Sequence, residues 1–174
     1  ARRNISRPPI LAVSKATLRR ASRADRTVLR ALHRALYVDH HGSIVPASIA
    51  PLLEYRDFER VLRDDIDGLI DHPNAAVLVA ERDGRVVGYI TGHMEEEPER
   101  RMPRRGVVED WFVEPAARGE RIGAALLAAL EDVFREARCD LIESATWSFN
   151  EGAVRAHEAL GFEAYQVRFR KPLR

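Results

Sequence analysis

The chain has 174 residues, of which 45% are apolar and 32% are charged, and its formal net charge is +1. This balance is typical of a soluble globular domain and excludes a disordered chain. No apolar run approaches the about 18 residues that suggest a membrane span, and the length is short for two ordinary domains. Because Cys139 is the only cysteine, an intramolecular disulfide and a cysteine zinc cluster are excluded, and no metal is expected.

The first 14 residues are basic, and their apolar run is too short for a secretion signal. We therefore predict a flexible tail over residues 1–14, a single domain over residues 15–174 and a cytoplasmic location. Arginine is frequent in the first forty residues, and residues 54–71 are acidic. Without interleaved aromatic residues, such blocks indicate solvated helix faces, so neither nucleic acid nor a membrane is an expected partner.

The first half of the chain predicts one strand followed by two helices. Thr17–Arg19 has the character of a short strand, and Ser22 or Asp25 is a candidate N-cap for the first helix. Apolar side chains recur at helical spacing in two segments: Val28, Leu29, Leu32, Ala35 and Leu36, then Phe58, Val61, Leu62, Ile66 and Leu69. Between them "DHHGSIVPAS" breaks the periodicity, which predicts a loop. Its His40 and His41 either face solvent, the favoured interpretation for loop residues, or line the acceptor pocket or bind an adventitious metal.

The second half of the chain predicts strands alternating with helices. Two β-rich runs meet at Asp83-Gly84, a dipeptide that accepts the positive φ angles of a type I′ hairpin turn. There follow a strand over Val107–Val113, a helix from Ile122, a strand in "DLIESAT", a helix between Asn150 and Gly161, and one or two strands in "EAYQVRFRKP". This order predicts a mixed α/β sheet covered by helices.

The row "RGERIG", residues 118–123, lies where the strand ending at Val113 turns into a helix. The N-terminus of a helix presents unpaired N–H groups and favours negative charge, so such a turn is suited to a phosphate group. Gly119 and Gly123 leave room for a ligand, and Arg118 and Arg121 add positive charge. The row predicts a diphosphate site, although its spacing fits neither a P-loop nor a dinucleotide-binding loop.

The same row resembles the Arg/Gln-x-x-Gly-x-Gly/Ala motif of the GNAT superfamily of N-acetyltransferases. Arg121 departs from that motif, because the family usually has its first glycine there, and it fits only if its backbone is helical. The resemblance extends over residues 17–172. It includes the hairpin "AERDGRVVGYI" and a second cofactor motif in "NEGAVRAHEALGFEAYQ", with Asn150, Ala153, Glu158 and Gly161-Phe162 at family spacing.

Membership of this family implies a fold and a cofactor. The fold would be a central, mostly antiparallel, twisted sheet of six to seven strands with a splay between the fourth and fifth, flanked by about four helices. The acetyl donor would be acetyl-CoA, with its pantetheine arm paired to the backbone of Phe112 and Val113. The other expected contacts are Arg118, Gly119, Glu120, Arg121, Ile122, Gly123 and Ala124 around the pyrophosphate, and Asn150, Ala153 and His157 along the second motif.

Acetyl transfer to an amine needs a base for the amine, a polarised thioester carbonyl and a proton for the departing thiolate. Glu109 and Asp110 are candidate bases, and strand alternation predicts that they face opposite sides. The strand resembles that of the diamine acetyltransferases of the family, in which the Glu position is the candidate base. This resemblance favours Glu109 as the base, with Asp110 as the second candidate. The N–H of Val113 would polarise the carbonyl. His157 occupies the position at which many family members have a Tyr that acts as general acid. It is therefore either the general acid or a packing residue that contacts the cofactor.

The resemblance implies direct transfer of acetyl to a primary amine in a ternary complex. Acidic residues of the second helix and Glu95–Glu97 favour a small cationic acceptor such as a polyamine, an aminosugar or an amino-acid-like amine. Protein or peptide N-acetylation and a non-catalytic acetyl-CoA-binding regulatory module stay open as alternatives. The sequence also leaves open whether the chain forms a homodimer, for which the final strands are the candidate contact.

Overall fold

The computed structural model describes residues 16–173, so the predicted tail over residues 1–14 lies outside the described residues. The helices are α1 (Arg26–Ser43), α2 (Phe58–Asp71), α3 (Ile122–Glu136) and α4 (Glu151–Ala159). The strands are β1 (Thr17–Arg20), β2 (Ala75–Arg82), β3 (Arg85–Glu96), β4 (Arg104–Val113) and β5 (Leu141–Ser144). The predicted mixed α/β class is confirmed, with five strands in the described chain in place of six to seven.

The five strands form one sheet in the order β1-β2-β3-β4-β5. The first four are antiparallel to their neighbours, and β5 runs parallel to β4. Helices α1 and α2 cover one face, where Leu29, Ile66 and Tyr89 are fully buried, and α3 covers the other face through Leu126 and Leu130. None of the four described helices has both the length and the apolar character needed to cross a lipid bilayer.

The hairpin between β2 and β3 is formed as predicted. Asp83 and Gly84 have φ angles of 52° and 74°, the two successive positive values that a type I′ turn requires. β2 and β3 pair from Arg82↔Arg85 to Ala75↔His93. The turn therefore fixes the first two pairs, Arg82↔Arg85 and Glu81↔Val86, and a bulge then shifts the register by one residue, so that Ala80 pairs with Gly88.

Helix α1 is longer than predicted, because it continues through Asp39–Gly42 to Ser43. His40 and His41 are half-buried in its last turns and not solvent-facing: both rings contact Trp147, and His41 also stacks on Tyr37 with 3.9 Å between ring centroids. Burial lowers the pKa of His40. Aromatic packing from a distant loop thus stabilises a turn whose own sequence lacks helical periodicity.

The predicted final strand is wrong, because residues 163–173 have no strand pairing in the structure. Tyr165, Val167 and Phe169 alternate as in a strand, but their exposed fractions are 74%, 70% and 90%. The segment is held by a hydrogen bond from the Tyr165 hydroxyl to Glu143 and by one from Arg170 to the Leu52 carbonyl. An alternating pattern becomes a strand only beside a free partner edge, and within the described chain this segment pairs with none.

The chain enters α1 through a short 3₁₀ turn, Arg23–Asp25, whose cap contains the buried carboxylate of Asp25. The Ser22 hydroxyl accepts from the Ala24 N–H, and the Asp25 carboxylate accepts from the Ser22 N–H at 2.7 Å, which completes a capping box. Arg19 of β1 donates two hydrogen bonds of 2.9 Å to the same carboxylate. The Arg19 guanidinium holds the pKa of Asp25 at about 2.

We expect Asp25→Asn to lower the free energy of unfolding by about 2 kcal/mol at pH 7, because the carboxylate that caps the turn and binds Arg19 is replaced by a neutral amide. The pKa of Asp25 is lowered from 3.8 in an ordinary carboxyl. Its stabilising contribution is therefore complete above pH 4 and is lost as the pH falls toward 2. Urea unfolding between pH 7 and pH 3 measures both effects. Asp132→Asn, which removes an exposed ion pair with Arg135, is the control and should change stability by less than about 0.5 kcal/mol.

Candidate functional site

Strand β4 parts from β5 halfway along its length. The two strands pair only from Arg105↔Leu141 to Val108↔Ser144, whereas β4 continues to Val113. This gap is the predicted splay. The Glu114 N–H donates to the Val87 carbonyl, so by alternation the backbone of Phe112 faces β3, and the backbone groups of Trp111 and Val113 face the gap. Of the predicted pair Phe112 and Val113, the structure thus turns only Val113 toward the splay.

A row of unpaired backbone donors follows β4. The N–H groups of residues 119–124 donate to no atom of the described chain, and the first N–H with a partner is that of Ala125, which donates to the Arg121 carbonyl. A pocket of about 330 Å³ opens beside them, lined by Val113, Ala117, Arg118, Gly119, Arg121, Ile122 and Gly123. The end of the splay and the start of α3 therefore share one cavity, rich in donors suited to an anion.

Arg121 and Gly123 fit this turn for different reasons. Arg121 has φ 62° and ψ 13°, so its backbone is left-handed, and the right-handed helix begins only at Ile122. The glycine of the family motif accepts this geometry without strain, whereas an arginine does not. A Cβ atom on Gly123 would lie 3.3 Å from Nε1 of Trp111. The missing side chain therefore lets α3 approach β4, and Ile122 is buried in the core.

The charged side chains of residues 118–123 differ in the partners they contact. Arg118 donates from Nη2 to Asp39 at 2.9 Å and from Nε to the Val113 carbonyl at 3.0 Å, and its guanidinium lies over the Phe112 ring. Glu120 pairs with Arg82 of β2. Arg121 is exposed and has no ion-pair partner among residues 16–173. Arg118 thus ties the row to α1, whereas the Arg121 guanidinium is exposed beside the pocket.

Helix α4 lines the other side of the splay. The Asn150 side chain is buried and caps the helix, accepting from the Ala153 N–H at 3.1 Å. His157 Nδ1 lies 2.7 Å from the Ala153 carbonyl and Nε2 lies 2.7 Å from the Ser144 hydroxyl. Because a carbonyl only accepts, Nδ1 carries a proton, and in the neutral ring Nε2 accepts from Ser144. The ring also contacts Trp111 edge-on, so His157 spans the ends of β4 and β5.

The prediction that Glu109 and Asp110 face opposite sides is wrong. Ile90 pairs with Trp111 and Gly92 with Val108, so two residues of β4 lie opposite Thr91 in a bulge. Glu109 contacts the ring of His93 at 2.8 Å, and the Asp110 N–H donates to the Thr91 hydroxyl at 3.0 Å. Both carboxylates therefore lie on the face covered by α1 and α2, since the extra residue cancels the alternation.

The two carboxylates differ in their surroundings. The Glu109 side chain is 44% exposed, and its partner His93 also contacts Glu95. The Asp110 side chain is 20% exposed and lies near His33 of α1. Burial, reinforced by the charge of Glu109, raises the pKa of Asp110. A carboxylate that binds a proton more readily than usual is a better proton acceptor near neutral pH.

The sequence did not identify the side chains that support this site: His33, Asp39, Thr91, His93 and Ser144. His33 had a signal, because it lies four residues after Leu29 on the buried stripe of α1, where a polar residue needs a partner. The other four carry no local pattern, since their roles depend on strand pairing and on the length of α1.

Comparison with known protein families gives a match for this chain. Residues 35–162 match the model of the Acetyltransferase (GNAT) family. The chain belongs to this family. The resemblance carried by residues 118–123 and the second motif is therefore confirmed.

Known acetyltransferases of this family share sequence with the chain. An aminoglycoside N(6′)-acetyltransferase type 1 of Klebsiella aerogenes is 31% identical over 121 residues, 68% of this chain and 80% of that protein. An aminoalkylphosphonate N-acetyltransferase of Salmonella typhimurium is 32% identical, covering 74% and 83%. A mycothiol acetyltransferase of Sanguibacter keddieii is 33% identical over 59% of this chain. The match spans only 34% of that last protein's length.

Solved structures share the fold. An aminoglycoside N-acetyltransferase in complex with CoA aligns with a TM-score of 0.72 and 20% identity, covering 92% of this chain and 96% of that one. An acetyltransferase from Clostridium acetobutylicum with acetyl-CoA gives a TM-score of 0.71 at 17% identity, covering 91% and 96%. At these identities the GNAT architecture is shared, while details of the sites are not implied.

The left-handed backbone of Arg121 predicts how two substitutions at this position change the stability of this GNAT protein. Arg121→Gly and Arg121→Ala both remove the guanidinium, but only alanine keeps a Cβ atom in the left-handed region. We expect the glycine variant to be more stable than the alanine variant by about 1 kcal/mol in urea unfolding.

The same pair of substitutions at Arg135, inside α3, is the control. There glycine should be less stable than alanine by about 1 kcal/mol, because the helix is right-handed. The same order at both positions would contradict the left-handed assignment.

Proposed function

We propose that the chain transfers the acetyl group of acetyl-CoA to a primary amine of a small molecule by direct attack in a ternary complex. The observation that carries the proposal is the unpaired N–H row at residues 119–124, which opens from the same splay that leaves the Val113 backbone free. Donors at this turn fit a pyrophosphate, and the strand edge fits an amide-containing arm. The names of the GNAT relatives, which acetylate small amines, point the same way.

The residues of the splay divide the binding work in this proposal. Val113 offers its N–H to the thioester carbonyl, and Arg121 adds a free positive charge beside the N–H row. Asn150 is buried at the start of α4, and only its oxygen is used by the cap, so its amide N–H₂ is available to the arm. Acetyl-CoA supplies the activated acetyl group. The remaining chemistry concerns protons, which the chain must accept and donate.

We assign the proton-accepting role to Asp110 and the attraction of the ammonium group to Glu109. Asp110 has the raised pKa and the more enclosed carboxylate, whereas Glu109 is open to an approaching cation. This reverses the preference drawn from the resemblance to diamine acetyltransferases. His157 is the proposed proton donor to the thiolate. Since the Nδ1 proton is held by the Ala153 carbonyl, the donated proton is the one that Nε2 carries when the ring is protonated, and the Ser144 hydroxyl accepts from that N–H until the thiolate takes its proton.

A small cationic amine is the acceptor class that the charges favour. Glu95 contacts His93, the partner of Glu109, and Asp65 of α2 lies 3.7 Å from His33, which is near Asp110. Glu59 and Asp64 are further carboxylates of the same helix. Several of these already pair with arginine, so they set a negative field without being fixed contacts. A cytoplasmic location belongs to the same proposal, because the reaction depends on a supply of acetyl-CoA.

The proposal includes a homodimer. Residues 163–173 are extended and carry alternating exposed Tyr165, Val167 and Phe169. The outer edge of β5 has no partner strand in the described chain. An extended apolar segment close to an open edge is suited to pairing with a second copy of the same chain.

Thiol release from acetyl-CoA tests the activity. With a panel of polyamines, aminosugars, amino acids and peptides, we expect release with one class of small amine above the acceptor-free control. Release only with peptides would move the assignment to protein acetylation. No release from a protein that binds acetyl-CoA would favour a non-catalytic module.

Substitution of the two carboxylates tests their roles. Asp110→Asn should lower kcat/KM about 10²-fold or more and abolish the loss of rate at low pH, because the proton acceptor is gone. Glu109→Gln should act mainly on KM for the amine. A kcat of Asp110→Asn equal to that of the wild type across the pH range would contradict the assignment, and Asp132→Asn serves as the charge control.

Asp110→Asn should also raise Tm at pH 8. A carboxyl whose pKa is raised in the folded state disfavours folding once it ionises, so its destabilising effect grows as the pH rises through the folded pKa. Below pH 4 the two proteins should have the same Tm. A fall in Tm at pH 8 would mean that the carboxylate is needed for structure.

The dimer is tested by sedimentation. The double substitution of Val167 and Phe169 by Asp should convert a dimer to a monomer, since both exposed apolar side chains become charged. A wild-type monomer at micromolar concentration would contradict this part of the proposal.

A further inference from the structure

His93 is a titratable residue at the acidic bulge that the proposed chemistry leaves without a role. It lies on β3, opposite Val107 of β4, and its side chain is 24% exposed. Its Nδ1 lies 2.8 Å from Oε1 of Glu109, and its Nε2 lies 2.9 Å from Oε1 of Glu95. One imidazole thus lies between two carboxylates, and one of these is the carboxylate proposed to attract the amine.

These two contacts indicate the charge of the ring. An ionised carboxylate only accepts hydrogen bonds, and a neutral imidazole has a single N–H to donate. Because a carboxylate oxygen lies close to each ring nitrogen, the arrangement favours the imidazolium form, which carries a proton on both. In the structure the positive ring is therefore the counter-ion of Glu109.

The two carboxylates are held unequally. Arg105 of β4 donates from both Nε and Nη2 to Oε2 of Glu95, the first at 3.0 Å. Hydrogen bonds from His93 and Arg105 lower the pKa of Glu95, so this carboxyl stays ionised near neutral pH. Among the described residues no arginine pairs with Glu109, whose side chain is 44% exposed. A ring that loses one proton therefore keeps its Nε2–H bond to Glu95 and gives up the charge beside Glu109.

Negative groups predominate around the ring. Besides Glu95, Arg105 contacts two further carboxylates, so one arginine is shared by three. The other charged and titratable groups connected to this cluster are Asp110 of β4, His33 of α1, Asp65 of α2, Glu143 of β5, and Glu97 and Tyr165 outside the regular elements. Since carboxylates outnumber cations here, the cluster favours a positive charge at Glu109, and either the ring or an arriving ammonium group is able to supply it.

We propose that His93 is a positioning residue that occupies Glu109 in the acceptor-free protein, and that binding of a cationic amine at Glu109 releases the proton of His93 Nδ1 to solvent. The proposal rests on the proposed function, in which Glu109 attracts the acceptor. The N–H bond at Nδ1 breaks, its electron pair stays on the nitrogen, and water takes the proton. One positive charge leaves as another arrives, so the charge of the cluster is unchanged.

Two cations at one carboxylate weaken each other. Repulsion between the protonated ring and the ammonium group disfavours their simultaneous contact with Glu109. By linkage, protonation of the ring and binding of the amine therefore oppose each other by the same free energy. Raising the pH through the range in which histidines titrate should thus lower KM for the amine.

Two substitutions of different charge test this role. His93→Gln removes the positive charge, whereas His93→Lys keeps it up to about pH 10. With the amine that thiol release identifies, KM of the wild type should fall several-fold between pH 6 and pH 8. His93→Gln should have the low KM at both pH values, and His93→Lys a high KM at both. At each pH the kcat should stay within about twofold of the wild type, because Asp110 accepts the proton in all three proteins.

Opposite shifts of KM distinguish this role from a structural one, in which both substitutions would raise KM. If only one variant folds, the direction of its shift at pH 6 or pH 8 still decides. A fall in KM with pH that persists unchanged in His93→Gln would come from ionisation of the amine itself and would overturn the proposal.

A double-substitution experiment tests whether His93 acts through Glu109. In a Glu109→Gln background, His93→Gln should change KM much less than in the wild type, because the shared carboxylate is gone. An equal change in both backgrounds would contradict a role through Glu109.

His72→Gln is the matched control, since His72 is an exposed histidine whose Nδ1 accepts from the Asn74 N–H. It should leave the pH dependence of KM unchanged. An active wild-type protein whose KM is the same at pH 6 and pH 8 would overturn the role of His93 alone. A wild-type protein that binds acetyl-CoA but acetylates no amine would overturn the proposed function and this inference with it.

Discussion

Each backbone N–H and C=O that a strand turns away from one neighbour needs another partner. Strand β4 meets this need through β5 only as far as Val108, and from there to Val113 one edge faces an open gap. Within the described chain the side chain of Arg118 satisfies the Val113 carbonyl. The rest of the site is arranged around this gap: the N–H row at its mouth, His157 across it and the acidic bulge at its start. A ligand that supplies strand-like hydrogen bonds there would complete the sheet, and this is the pairing proposed for the amide-containing arm of acetyl-CoA.

The bulge at Glu109 and Asp110 inserts one extra residue into β4, and this insertion determines on which face of the sheet the two carboxylates lie. In a regular strand one carboxylate would point into the layer under α3, where a charge has no partner. The extra residue brings both to the face of α1 and α2, where polar side chains of β3 and α1 receive them. Burial, with the charge of the neighbouring Glu109 added, raises the pKa of Asp110 above that of an ordinary carboxyl. The proposed division of roles between the two residues follows from this difference in burial.

The sequence predicted those elements that are determined by neighbouring residues. Asp83-Gly84 fixes the hairpin through its own φ angles, and the leucine and isoleucine spacing of α1, α2 and α3 fixes their inward faces. Three features have distant causes and were missed. The last turn of α1 depends on Trp147, the facing of Glu109 depends on the register with Thr91, and the state of residues 163–173 depends on an edge to pair with. The glycine motif located the N–H row correctly, but the left-handed backbone of Arg121 and the pairing of Arg118 with Asp39 required the folded chain.

The bridge from Arg118 to Asp39 joins the row after β4 to the last turns of α1. Any anion that draws the guanidinium toward the pocket weakens this bridge and leaves the Asp39 carboxylate without its cation. By linkage, a cation that binds Asp39 must then favour anion binding at the pocket by the same free energy. The two ends of α1 are therefore held differently: the first by the Asp25 cap, and the second by the Arg118 bridge together with aromatic packing against Trp147. An anion bound at the pocket and a cation bound at Asp39 would thus be coupled through a single arginine side chain.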